Sequence, residues 1–264
     1  DPRIHFVAVT GSVNGGQRIQ QAAKQRFIPI GLELGGKDPA YVRADADLAS
    51  AVPALVDGAF FNSGQSCCGI ERIYVQSQCF DKFVELYVDK VNQYNLGNPL
   101  SDDVTLGPMV SVAAANAARD QLRSALNQGA TALIDSQKFS LTHLPESFLA
   151  PQVLIDVNHS MSLMVEESFA PIIGIMPVQG DQDAVALMND SDFGLTASVW
   201  TRDMDVAKQL GGKIKTGTFF LNRCDYLDPA LVWTGLKNSG RGYSLSSLGF
   251  EQLTRAKSFN LSVK

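Results

Sequence analysis

Strand-like and helix-like segments alternate along this chain, and that alternation constrains its fold more than any other feature. Residues 5–10 read as a short β-type run, 17–25 as helical and 27–34 as strand-like, making one βαβ unit. Beyond Gly35-Gly36 the pattern continues, with helices predicted over 48–61, 80–94 and the alanine-rich 112–128, which stops at Gly129. Strands are predicted over 70–76, 172–177, 197–201 and 217–222, and further helices over 182–189 and 204–210. Residues 95–110 and 224–243, rich in Gly, Pro and Asp, read as loops, and 256–263 alternates apolar and polar residues like a β-strand. A chain of this kind buries apolar strands between helices, so the expected fold is α/β with a parallel-rich sheet.

At 264 residues the chain can bury a substantial core. Its 45% hydrophobic and 19% charged residues describe a globular protein, not a disordered one. The net charge of −5 argues against a nucleic-acid face or a polybasic membrane anchor. No apolar run approaches the roughly 20 residues that span a bilayer. Asp1-Pro2-Arg3 opens no signal-peptide layout, and the few cysteines point to a reducing, cytoplasmic setting. His5, His143 and His159 are scattered and Cys67, Cys68, Cys79 and Cys224 have no zinc-ribbon spacing, so no metal site is expected.

Four stretches carry chemistry. Cys67 follows an apolar helix in Asn62-Ser63-Gly64-Gln65-Ser66-Cys67, where a glycine-bearing bend lets a ligand approach a thiol. A thiolate there would attack a carbonyl carbon; the bland alternative is a buried, inert cysteine. Glu33, in Leu32-Glu33-Leu34-Gly35-Gly36, ends an apolar strand, and partial desolvation would raise its pKa toward that of a general base. A solvent-facing strand-end glutamate is the plain alternative. Thr10-Gly11-Ser12 joins a strand to a helix start, suited to a phosphate or simply an ordinary turn. In Glu166-Glu167-Ser168-Phe169-Ala170-Pro171, Glu167 offers acceptors for ribose hydroxyls and Phe169 a ring for a nicotinamide, or the segment is a polar loop with an aromatic staple.

In this order the four stretches resemble those of the aldehyde dehydrogenase superfamily. Leu106-Gly107-Pro108-Met109, Phe193-Gly194-Leu195-Thr196-Ala197-Ser198-Val199 and Thr234-Gly235-Leu236-Lys237-Asn238-Ser239-Gly240 extend the resemblance through nearly the whole chain. Each motif is modestly specific; the ordered set is highly so. The resemblance implies Cys67 as nucleophile and Glu33 as general base. It implies Thr10, Gly11, Ser12, Leu34, Glu167 and Phe169 as contacts of NAD or NADP. Ser66, Cys68 and Trp233 would line the tunnel of a small aldehyde substrate. Cys67 would form a thiohemiacetal, hydride transfer would give a thioester, and Glu33 would activate the hydrolytic water.

The resemblance is to the C-terminal, cysteine-bearing part of the family, truncated at its N-terminus. It divides the chain into a remnant of the cofactor domain over 1–34, a catalytic domain over 35–250 and an oligomerisation strand over 251–264. The isolated chain is accordingly expected to bind the dinucleotide poorly, and its terminal strand, missing the family's upstream pairing hairpin, to assemble abnormally instead of as the family's homo-oligomer. Three other functions compete. CoA-acylating semialdehyde dehydrogenases share fold and cysteine but generally lack the glutamate, a cysteine hydrolase would need a histidine partner for Cys67, and a non-catalytic module would need neither residue.

Overall fold

The computed structural model describes residues 1–139 and 143–263. In chain order the elements are β1 (Val7–Thr10), α1 (Val13–Ala22), β2 (Ile30–Glu33), β3 (Asp38–Val42), α2 (Leu48–Phe60), β4 (Ile70–Gln76) and α3 (Phe80–Val91). Then come α4 (Val112–Asn127), β5 (Thr131–Ala132), β6 (Gln152–Ile155), α5 (Ser162–Val165), β7 (Ile172–Val178) and α6 (Asp181–Asn189). β8 (Phe193–Gly194), β9 (Thr196–Trp200), α7 (Met204–Gly211), β10 (Thr218–Leu221), β11 (Leu236–Lys237), β12 (Gly240–Arg241) and α8 (Leu248–Gln252) complete the order.

The main sheet runs β10-β9-β3-β4-β7-β6-β5 and is parallel except at β5, which lies antiparallel to β6. Successive side chains leave opposite faces, so each strand feeds two cores. Ala40, Val42, Ile73, Val75, Ile173 and Ile175 pack with α2 and α3 through Val52, Leu55, Val56, Phe83 and Tyr87. Tyr41, Tyr74, Ile172, Ala197 and Val199 point the other way, to Ala115 and Ala118 of α4, Ala184 and Met188 of α6 and Leu210 of α7. Each fully buried aliphatic chain contributes about 1.5–3 kcal/mol to this three-layer arrangement. A smaller sheet, β1-β2-β12, joins β1 and β2 in parallel and brings β12 back antiparallel, pairing Gly240 with Glu33.

The expected α/β class is the one observed, but several elements differ. Three strands of the main sheet, β3, β5 and β6, lie where none is predicted. Pro39 conceals β3; it sits at a register shift between Asp38 and Pro39, where a missing N–H does no harm. β6 opens on buried Gln152, whose amide both accepts from the Ile134 N–H and donates to its carbonyl, 2.9 Å each. α1 begins four residues earlier than predicted because the Ser12 hydroxyl caps it, accepting from the Gly15 N–H. The predicted loop 224–243 contains β11 and β12. No strand forms over 256–263, whose Phe259, Leu261 and Val263 stand exposed, because within one chain nothing pairs with that backbone.

Candidate active site

Cys67 lies beyond α2 in a bend whose geometry the surrounding motif enforces. Asn62, Ser63 and Gly64 take left-handed backbone in succession, φ 50°, 59° and 72°. At Gly64 a Cβ would stand 2.3 Å from the Ala170 carbonyl oxygen, so only glycine fits. The side chains of Asn62 and Gln65 close the turn, donating to the Gln65 and Asn62 carbonyls at 3.1 and 2.9 Å. Gln65 then anchors the bend to a distant loop, donating to the Pro108 carbonyl at 3.2 Å and accepting from the Val110 N–H at 2.7 Å. The Ser63 hydroxyl donates to the Gly107 carbonyl at 2.8 Å. The motif residues before the cysteine, and Gly107-Pro108 opposite them, thus hold the thiol in place.

Glu33 ends β2, and its backbone carbonyl accepts from the Gly11 N–H at 3.0 Å. Its carboxylate accepts from the Ser244 hydroxyl at 2.7 Å. Ser244 is itself fixed by reciprocal backbone bonds with Trp233, 2.8 Å each. Glu33, Cys67, Thr10 and Trp233 line one cleft of ≈ 610 Å³, with apolar walls that include Phe6, Leu227 and Leu245. Burial raises the Glu33 pKa above the ordinary value of 4.5, while the Ser244 hydroxyl and the Trp233 indole pull the other way. The neighbouring Cys68 side chain holds the Cys67 thiol below its ordinary 9.0, against burial and the carboxylates of Asp225 and Glu33. Cys68 is pushed up by its closeness to Cys67, by burial and by Asp225, to whose carboxylate it donates.

The paired glycines explain how the remaining residues come close. A Cβ on Gly35 would lie 2.0 Å from Glu167 Oε1, and one on Gly36 would lie 2.5 Å from the Cys67 carbonyl oxygen. Glu167 Oε1 accepts from the Gly36 N–H at 3.0 Å. Burial, then the Glu71 carboxylate, push the Glu167 pKa to about 7. Phe169, half-exposed, has left-handed backbone with φ 48°. Leu34 is buried, and its side chain fills the space beside Gly16 of α1. The Val13 and Asn14 N–H groups at the start of α1 find no hydrogen-bond partner among the described residues.

The structure therefore gathers Cys67, Glu33, Thr10 and Trp233 around one cleft, with Glu167 across the Gly35-Gly36 backbone from it. Ser66 and Cys68 turn aside: the Ser66 hydroxyl and the Cys68 thiol each donate to Asp225 Oδ1 at 2.9 Å, and Cys68 is buried against Leu195 and Trp233. Gly11 and Ser12 serve the β1–α1 turn outside the cleft wall. Sequence reasoning missed Ser244 and Asp225, both in stretches read only as loop or left without assignment. It also missed Lys37 and Glu71, although a buried charge inside an apolar strand such as β4 is a readable signal. Among the described residues no histidine lines the cleft; His159 instead joins Tyr74 and Asp190 at 2.8 and 2.7 Å.

Fold and cleft together define an α/β protein that presents a bend-held thiol and a partly desolvated carboxylate to one apolar pocket. The chain belongs to the aldehyde dehydrogenase family, whose profile matches residues 1–259. It is 34% identical over 243 residues to lactaldehyde dehydrogenase of Escherichia coli K12, covering 92% of this chain and 50% of that protein. Its fold is similar to NADP-dependent glyceraldehyde-3-phosphate dehydrogenase from Bacillus halodurans C-125 complexed with NADP, with TM-score 0.89 and 34% identity, covering 96% of this chain and 52% of the other. It is also similar to betaine aldehyde dehydrogenase from Staphylococcus aureus in complex with NAD⁺, with TM-score 0.87 and 31% identity over 94% and 50% of the two chains. The chain spans about half the length of the curated relatives it matches.

Proposed function

We propose that this chain supplies the reacting thiol, the base and the nicotinamide-side contacts of an enzyme that oxidises an aldehyde to a carboxylic acid with NAD or NADP. One observation carries the reading: Cys67 and Glu33, far apart in sequence, face the same apolar cleft. The Cys67 thiolate adds to the aldehyde carbon and forms a thiohemiacetal. Its oxyanion needs donors already in place, and the Cys67 backbone N–H is the candidate in this chain. When bound, the dinucleotide supplies the acceptor for hydride leaving that adduct. Glu33 then takes a proton from water, which attacks the Cys67 thioester and frees the acid and the thiol.

The residues present suit such a cofactor. Glu167 keeps Oε2 free of hydrogen bonds among the described residues, an acceptor for ribose hydroxyls. The open N–H groups of Val13 and Asn14 suit an anionic pyrophosphate. Phe169 offers a half-exposed ring to the nicotinamide. The glutamate favours hydrolysis over transfer of the acyl group to CoA, and its half-buried, Ser244-bonded position suits activation of water. The apolar walls suit a small aldehyde.

Rapid-mixing kinetics of the full-length protein with aldehyde and cofactor test the reading. Glu33→Gln is expected to keep the initial burst of reduced cofactor and to lose steady-state turnover, and Cys67→Ala to lose both. Normal turnover in Glu33→Gln, or a burst in Cys67→Ala, would contradict it.

A further inference from the structure

Directly after the Gly35-Gly36 pair, Lys37 enters an ion pair that the mechanism above does not use. Lys37, at the β2–β3 connection, and Glu71, in β4, have side chains 0% and 6% exposed and meet at 2.6 Å. Both Glu71 oxygens are also committed to one short stretch of backbone. Oε2 accepts from the Ser168 N–H at 2.7 Å and Oε1 from the Phe169 N–H at 2.8 Å. Lys37 Nζ donates in turn to the Ser168 hydroxyl at 3.0 Å. The stretch so gripped is the one in which Phe169 takes left-handed backbone, a conformation that costs a non-glycine residue free energy and persists only when its surroundings impose it.

We propose that Lys37 and Glu71 are a buried positioning pair that holds residues 167–169 in the strained turn presenting Glu167 and Phe169 to the nicotinamide nucleoside. The inference rests on reading Glu167 as the acceptor of ribose hydroxyls. A buried ion pair is weak as a source of stability, because desolvation offsets most of its attraction. It is effective at fixing geometry, because a charged acceptor with two lone-pair-bearing oxygens dictates where two adjacent N–H groups must lie. Beyond burial, which acts most strongly, the pair also bears on the protonation of its neighbour. Glu71 lies close enough to raise the Glu167 pKa and Lys37 close enough to lower it. The other charged groups facing Glu167 are Glu166 on its own segment and Asp120 of α4, across a polar groove also lined by Gln121 and Ser124.

The test uses the full-length protein and two readouts other than turnover. In the nucleotide-free protein, Glu71→Gln is expected to speed amide hydrogen exchange at Ser168 and Phe169 by about tenfold or more, with the rest of β4 unchanged. In fluorescence titrations with NAD, affinity rises with pH as Glu167 ionises. Glu71→Gln is expected to lower that midpoint and Lys37→Met to raise it, each by about one pH unit. Should Lys37→Met fail to fold, the double variant Lys37→Met/Glu71→Gln removes both charges, and its midpoint is expected to return toward that of the unmodified protein. Unchanged exchange, or midpoints that stay put or move together, would overturn the proposal. Glu167→Gln separates the two ideas: if it leaves NAD affinity unaltered at every pH, the ribose reading fails, while amide exchange still judges the pair.

Discussion

Replacing Ser244 by Ala removes the hydroxyl that donates to the carboxylate of Glu33 and leaves the Trp233 indole in place. The hydroxyl donates to Glu33 Oε1 at 2.7 Å and stabilises the ionised form more than the protonated one. Hydrogen bonds to charged groups contribute about 1.5–3 kcal/mol when buried. Glu33 is only half-buried, so water replaces part of the lost bond and about 1 kcal/mol remains. Since one pH unit corresponds to about 1.4 kcal/mol, the Glu33 pKa rises by about 0.7. The pKa is already raised by burial, so the change adds to the existing displacement. A base is active when ionised, and the acid limb of the turnover profile therefore moves to higher pH by the same amount. Well below the limb, turnover falls about fivefold. Turnover of the full-length enzyme, measured under conditions where thioester hydrolysis limits, gives the limb directly, and Ser244→Thr should restore it. A limb that stays in place, or moves to lower pH, would refute the assignment of Ser244 as the residue that holds the base.

Gly64→Ala places a Cβ 2.3 Å from the Ala170 carbonyl on left-handed backbone. The strain alone costs about 1–3 kcal/mol, so urea denaturation should show a loss of at least that size. Glu167, held at about 7 by burial, keeps a proton in the folded state that the unfolded chain releases near 4.5. Stability should therefore fall as pH rises from about 4.5 through 7, and Glu167→Gln should remove that slope and leave the protein more stable above pH 7 by on the order of 3 kcal/mol. Because the Cys67 thiol is lowered and that of Cys68 is raised, iodoacetamide should modify Cys67 first, with a pH midpoint below 9.0, as peptide mapping would show.

The fold class and the candidate thiol and carboxylate are legible in the sequence, whereas individual strands and the partners that hold the site are not. Cys67 and Glu33 could be singled out because each stands in a short run whose glycines have local geometric meaning. The same runs disclosed nothing about how the bend is held. Gln65 bonds to Pro108 and Val110, more than forty residues away, and Ser244 reaches Glu33 across a separation of 211 residues. Such partners depend on the order in which strands assemble, which periodicity does not encode. β3 escaped notice because Pro39 and the preceding glycines imitate a loop, and β6 because it opens on a glutamine. The alternation over 256–263 does not become a strand, because a strand needs an edge to pair with and a single chain provides none there.

Mass spectrometry of the Glu33→Gln protein, quenched during turnover with an aldehyde and cofactor, tests the central claim most directly. With the nucleophile in place and the base removed, the acyl group should accumulate on Cys67, adding the mass of the acyl moiety to the peptide that contains it. An adduct on Cys68 or any other residue, or no adduct while acid is still produced, would contradict the pairing of this thiol with this carboxylate.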